Sequence, residues 1–296
     1  MDILEKCNLC NRNCLVNRYK QVGYCKQTNE IRIAKATLTY FEEPCISNEK
    51  GSGTIFFSGC NMGCIYCQNI DISKKNFGKN ISSERLANIM LELESKGAIN
   101  INLVTPTPHI MGIIEAIKLA KSKGFNIPII YNTGTYDTVE SIKMLDGLID
   151  VYLPDLKYYD NNLAIKYSNA KNYFENATLV IKEMYRQVGK PQFNKLGNIT
   201  RGVIVRHLML PTQLHDSCKI LKYLYDTYQD NIYISIMNQY TVIYPLKYKE
   251  LNHSVKKHDY DKLILYAISL GIKNAYTQLD NTNSTDFIPN FDLEGV

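Results

Sequence analysis

The chain has 296 residues, 45% of them hydrophobic and 21% charged, with a formal net charge of +5. That length allows one large domain, or one domain with a small appendage, and the composition is that of a soluble globular protein. The charge is mild with no dense basic run, which excludes a nucleic-acid footprint, and no apolar stretch of roughly 18 residues marks a membrane span.

Residues 1–6 lack the basic and apolar regions of a secretory signal. Residues 1–50 are cysteine-rich with little apolar periodicity and read as a small metal-stapled appendage. A short β-rich run at 54–57 ends at Ser58, Gly59 and Cys60. Ser82 and Ser83 are N-cap candidates, with Glu84 in the first turn of a helix. Leu86, Ile89, Met90 and Leu93 follow at helical spacing, and Gly97 stops that helix. Residues 100–104 read as a strand. Ile110, Ile113, Ile114 and Ile117 mark an amphipathic helix closed by Gly124. A strand at 128–131, a short helix at 137–146 and a strand at 149–153 come next, the last running into Asp155, Leu156 and Lys157. A helical region covers 160–188. A strand at 203–208, a helix at 215–228, a strand at 232–236 and a helix at 259–270 complete the pattern.

Six strands alternating with helices predict βαβ units and a parallel sheet, either open and doubly wound or partly closed as a barrel. In both forms the chemistry is expected at the carboxyl ends of the strands. The expected organisation is a cysteine-rich appendage at 1–50, a core at 51–280 and a surface tail at 281–296.

Seven of the nine cysteines fall in two groups: Cys7, Cys10, Cys14 and Cys25, then Cys60, Cys64 and Cys67. Without a secretion signal, clustered cysteines point to metal rather than disulfides, and to reducing cytosol. Cys45 and Cys218 stand alone and are expected as small packing residues. The second group is a C-x3-C-x2-C in the loop after the first predicted strand. Three thiolates on one loop can bind three corners of a [4Fe–4S] cube, which normally takes four. The missing fourth leaves an iron open, as a catalytic metal site requires. Zinc is the alternative, but the loop offers it no further Cys or His. Gly59 and Gly63 are expected to supply backbone freedom.

This spacing and placement resemble the radical S-adenosylmethionine (SAM) superfamily. Over nearly its whole length the chain resembles homologues of pyruvate formate-lyase activating enzyme. The matching stretches include 7–14 with 23–25, 42–47, 51–60, 67–69, 100–107, 152–158 and 206–208. The resemblance implies a partial (β/α)6 TIM-like barrel. It also implies that SAM chelates the open iron and is reductively cleaved to methionine and a 5′-deoxyadenosyl radical, which abstracts hydrogen from a substrate. A reductant such as flavodoxin or ferredoxin is implied as a partner.

In such activating enzymes an acidic–hydrophobic–lysine string at the end of the fourth strand contacts SAM; here it is Asp155-Leu156-Lys157. Lysine can pair with the SAM carboxylate while aspartate orders it; a plain salt bridge is the alternative. Asn132 and Thr133 stand where the family often has an aspartate, which removes a charge. Where many members carry Gly-Gly-Glu for the SAM ammonium, this chain has Thr105-Pro106-Thr107-Pro108, whose oxygens can accept hydrogen bonds. Tyr66 is placed near adenine or as ordinary packing. His207 with Arg206, and Gln239 with Asn238, end the fifth and sixth strands; His207 is equally a site residue or a satisfied core histidine, and His109 is similar.

Cys7, Cys10, Cys14 and Cys25 suffice for a closed tetrathiolate site, holding zinc or an auxiliary iron–sulfur cluster. Three functions follow from these readings. The first is an activase-like enzyme that installs a glycyl radical on a partner. The second is radical SAM modification of a peptide or small metabolite. The third is a non-catalytic iron–sulfur carrier or sensor, which the incomplete cysteine set argues against.

Overall fold

The computed structural model describes residues 2–278 and 289–296. In chain order its elements are β1 (Ile31–Thr39), β2 (Ser52–Phe57), α1 (Ile70–Ser73), β3 (Lys79–Ile81), α2 (Ser83–Ser95), β4 (Ile101–Val104) and α3 (Ile110–Ser122). There follow β5 (Ile129–Thr133), α4 (Val139–Lys143), β6 (Val151–Pro154), α5 (Asn161–Ser168), α6 (Tyr173–Val188) and β7 (Gln192–Phe193). The last are β8 (Ile199–Leu208), α7 (Leu214–Tyr228), β9 (Tyr233–Met237), α8 (Lys257–Leu270) and β10 (Ala275–Thr277).

Strands β2, β4, β5, β6, β8 and β9 lie side by side in chain order, all parallel, and β10 adds a further parallel strand beside β9. Parallel neighbours need crossover connections, which the intervening helices supply. The edges, β10 and β3, do not pair with each other, so the sheet stays open. The architecture is the partial (β/α)6 barrel that the sequence led us to expect.

Helix α2 starts where the hydroxyl of Ser82 accepts the Arg85 N–H at 3.1 Å. Its Leu86, Ala87, Ile89, Met90 and Leu93 are buried, and it packs against α3. The chain leaves α8 through Gly271 at φ +88°, a left-handed position that suits glycine. The main core lies between the sheet and its helices. A second apolar layer lies inside the curve of the sheet: Ile130, Val151, Leu153 and Ile204 meet Cys45 and Ile46. Side chains on a strand alternate between faces. Two residues further along, Asn132, Asp155 and Arg206 therefore stand on this inner face at the carboxyl ends.

Two readings differ from the structure, and the tail is seen only in part. Residues 31–39 form a nine-residue strand, β1, antiparallel to β2, so the cysteine-rich segment contributes to the main sheet. The helical region at 160–188 is two helices, broken where Asn169 and Asn172 take φ of +50° and +51°. The described end of the tail lies along β1: Ala36 N–H donates to the Glu294 carbonyl at 2.8 Å, and Lys35 pairs with Glu294 and Asp292. Residues 279–288, part of the predicted tail, lie outside the described residues.

Candidate active site

The chain leaves β2 through Gly59, at φ +80°, and enters the cysteine loop. A Cβ on Gly59 would stand 2.5 Å from the Cys25 carbonyl oxygen. Gly63 is needed for a different reason than backbone freedom. It has no positive φ, but a Cβ there would stand 2.4 Å from the Tyr24 hydroxyl and 3.0 Å from the Ser168 carbonyl. Arg12 fastens the loop from the other side, donating to the Asn61 carbonyl at 2.7 Å and the Ser168 carbonyl at 3.1 Å.

Each of the three sulfurs in this loop has a hydrogen-bonding neighbour. Met62 N–H donates to Cys60 Sγ at 3.4 Å, Ser168 Oγ donates to Cys64 Sγ at 2.9 Å, and Ser73 Oγ lies 3.2 Å from Cys67 Sγ. Donors of this kind stabilise thiolates and tune the metal they hold. Burial, and then the neighbouring thiols, push the pKa values of Cys60 and Cys67 up, so a metal bound there would displace their protons. Among the described residues no three Cys, His, Asp or Glu side chains close on a single metal ion. Three thiols on one loop can hold three corners of a [4Fe–4S] cluster.

A cavity of about 410 Å³ opens at the carboxyl ends of the strands. Cys64, Tyr66 and Cys67 line one wall, Asn132, Asp155, Lys157 and Arg206 another, and Gln239 a third. Tyr40 and Phe41 stand at its rim, 49% and 72% exposed. Tyr66 is fixed through its hydroxyl, 2.6 Å from that of Tyr158, which lies 2.6 Å from Ser168 Oγ. A chain of hydroxyls thus runs from the cavity wall to the Cys64 sulfur.

The polar wall is organised by Arg206, whose Nε donates to Asp155 Oδ1 at 2.9 Å and Nη2 to Asn132 Oδ1 at 2.6 Å. Its Nη1 lies 3.4 Å from Glu42 Oε2, and Lys157 Nζ lies 2.6 Å from Asp155 Oδ2. Burial opposes the charge on Asp155, but Arg206 and Lys157 outweigh it and hold the carboxyl below its usual range. Burial likewise opposes the charges on Lys157 and Arg206, but Asp155, with Cys64 beside Lys157 and with Glu43 and Glu42 beside Arg206, raises both. Burial pushes Glu42 up to about 7, with Arg206 working against the shift.

That position gives a testable sign. The folded chain holds a proton on Glu42 more tightly than the unfolded chain between pH 4.5 and about 7. The associated stability is present below the lower value and is lost as pH rises through the upper one. Relative to Glu42→Gln, the wild type should lose on the order of 2 to 3 kcal/mol across this window and nothing beyond it. Denaturant unfolding of the anaerobic protein from pH 5 to 8 measures the slope, and parallel curves for the two chains would refute it.

Two expected site residues lie elsewhere. His207 does not face the cavity: its ring is buried, with Nδ1 2.8 Å from the Leu156 carbonyl and Nε2 2.8 Å from Ser217 Oγ. Burial pulls its pKa down to about 4, so it is a neutral core residue. Thr105 does not line the cavity either. Its φ is +60°, its N–H donates to the Asn132 carbonyl, and Val104 occupies the wall instead. His109 is also buried, stacked on Phe57 at 5.4 Å. Sequence reasoning missed Glu42, the organising role of Arg206, and Ser168. Cys45 is buried and Cys218 half-buried.

The radical SAM superfamily profile matches residues 54–212, more than half of the chain. The chain belongs to the radical SAM superfamily. Membership implies a [4Fe–4S] cluster and SAM, and Cys60, Cys64 and Cys67 lie within the matched residues. The chain is 31% identical over 275 residues to an uncharacterized protein of Methanocaldococcus jannaschii, MJ0674, covering 89% of this chain and 74% of that one. A putative glycyl-radical enzyme activating enzyme of the same organism, MJ1227, is 33% identical over 109 residues, covering 37% of this chain and 44% of that protein. In fold it is similar to a radical SAM methyltransferase from Sphaerobacter thermophilus, with a TM-score of 0.55 and 13% identity, covering 80% of this chain and 68% of that one. No described helix is long and apolar enough to cross a membrane.

Proposed function

We propose that this chain is an activating enzyme that takes a hydrogen atom from a backbone glycine of a partner, leaving a glycyl radical on it. The observation that carries the reading is the single cavity joining the three-cysteine loop to Asp155, Lys157 and Arg206, with its mouth at Tyr40 and Phe41. Cys60, Cys64 and Cys67 would hold a [4Fe–4S] cluster, which would supply the electron for reductive cleavage of SAM.

The residues of the chain bind and orient. Lys157, fixed by Asp155, presents positive charge to the SAM carboxylate. Asn132, tied to Arg206, offers its amide to the polar end of SAM. Tyr66 and Tyr240, with ring centroids 5.8 Å apart, give an apolar surface suited to adenine and exclude water. Gln239 is held by Gln278 at 2.7 Å and closes the far wall. The cavity volume is ordinary for a small-ligand site, and the exposed aromatic rim suits a protein segment. The partial similarity to MJ1227 supports the glycyl-radical assignment over a metabolite substrate. Nine free cysteines suit a reducing cytoplasm, where flavodoxin or ferredoxin supplies electrons.

The test is anaerobic turnover with SAM, reductant and a candidate glycyl-radical enzyme carrying α-deuterated glycine. Deuterium in 5′-deoxyadenosine, with a glycyl-radical signal on the partner, is the expected result. Deuterium acquired only from a labelled peptide or metabolite would overturn the glycyl assignment while keeping the chemistry.

A further inference from the structure

Cys7, Cys10, Cys14 and Cys25, grouped in sequence, also come together in the fold: all four line one small enclosed cavity of about 20 Å³. Gly23 brings two of them together: a Cβ there would stand 3.7 Å from Cys14 Sγ and 3.8 Å from Cys25 Sγ. Tyr24 N–H donates to Cys14 Sγ at 3.4 Å, as backbone amides do toward metal-bound thiolates. The segment is docked on the core by Asn11 N–H to the Tyr136 carbonyl at 3.0 Å and by Arg12 to the Asn61 carbonyl at 2.7 Å.

The other walls of this cavity are independent evidence for what fills it. Arg18 lines it and is 1% exposed. Its terminal nitrogens donate to the carbonyls of Pro108 and Thr28, it forms no salt bridge with a described carboxylate, and its Nε has no hydrogen-bond partner. Asn61, 2% exposed, lines the same cavity, and its Nδ2 is also without a partner. A buried guanidinium without a counter-charge is costly, and so is each unmade hydrogen bond. Two orphaned donors and an uncompensated positive charge around four thiols suit an anion with acceptor atoms of its own.

We propose that Cys7, Cys10, Cys14 and Cys25 hold a second [4Fe–4S] cluster, ligated at all four irons, with Arg18 and Asn61 donating to its sulfides. Four thiolates make the assembly net negative, which answers the Arg18 charge. Bridging sulfides supply the acceptors that Arg18 Nε and Asn61 Nδ2 lack; a lone zinc ion supplies none. With every iron ligated by protein, this cluster has no place for SAM, and its chemistry is confined to holding and passing single electrons. Asn61 directly follows Cys60, so the two sites share a wall.

The test reads metal content rather than activity. The anaerobic full-length chain should carry about twice the iron and acid-labile sulfide of one cluster, and no zinc. The Cys60→Ala/Cys64→Ala/Cys67→Ala variant should keep half of both, with the paramagnetic signal of a reduced [4Fe–4S] cluster. The Cys10→Ser/Cys14→Ser variant should lose the other half. A wild type that holds one cluster's iron plus one zinc, or one cluster's iron alone, overturns the proposal whether or not either variant folds. So does a triple variant that retains zinc or no metal.

Discussion

Cys64→Ala should abolish the formation of 5′-deoxyadenosine from SAM while the chain stays folded. In the proposed reading Cys64 supplies one of the three sulfurs that hold the cluster, and two thiolates do not hold a cube in place. The structural cost is small, because the side chain is half-buried at the cavity wall rather than in the core. Its removal costs Ser168 Oγ one acceptor, but that hydroxyl keeps its 2.6 Å contact with Tyr158. Loss of product should therefore come with loss of cluster absorbance and an unchanged far-UV spectrum. Cys218→Ala is the control: this thiol is half-buried on α7 and belongs to neither cysteine group, and product formation should match the wild type. A Cys64→Ala chain that cleaves SAM at the native rate would mean that the cluster is held elsewhere.

The alternating elements were readable because each carries a strong local signal, such as the cap at Ser82 and the apolar spacing of α2. The cysteine loop was readable because its spacing is local too. The polar wall was harder for a physical reason. Strand β8 is buried on both faces, as parallel strands are, so its pattern does not tell whether Arg206 or His207 points inward. The choice is made across the sheet, where Asp155 bridges to Arg206. Glu42 reaches Arg206 across 164 residues of sequence, from a loop with no periodicity. Ser168 reaches Cys64 only because the helical region breaks after it at Asn169, where a left-handed asparagine is as good a stop as glycine. Strand β1 does carry a period-two signal, with Ile31 and Ile33 buried and Arg32 partly exposed. That alternation stops after Ile33, where Ala34, Lys35 and Ala36 are buried in succession.

Arg206→Met should lower stability by about 3 to 5 kcal/mol, the cost of breaking a buried ion pair from one side. Methionine keeps much of the aliphatic volume, so the loss isolates the guanidinium. Asp155 would be left with Lys157 alone, and Glu42 with the Asn102 amide at 3.2 Å. The side chains of this network are 15 to 21% exposed, and the residual solvent places the effect toward the lower end of that range. The variant should also cleave SAM more slowly, because Asp155 would no longer be held on both sides and Lys157 would lose its fixed position. The sign of a second substitution separates this account from simple loss of packing. Without Arg206, the Glu42 carboxylate has no cation against it, so adding Glu42→Gln should restore part of the lost stability at pH 8 and little at pH 5. In the wild-type background the same Glu42→Gln change removes a partner from Arg206. The two substitutions should therefore be strongly non-additive. Urea denaturation of the four chains at the two pH values measures the coupling, and additive losses at both would mean that Glu42 and Arg206 do not sense each other.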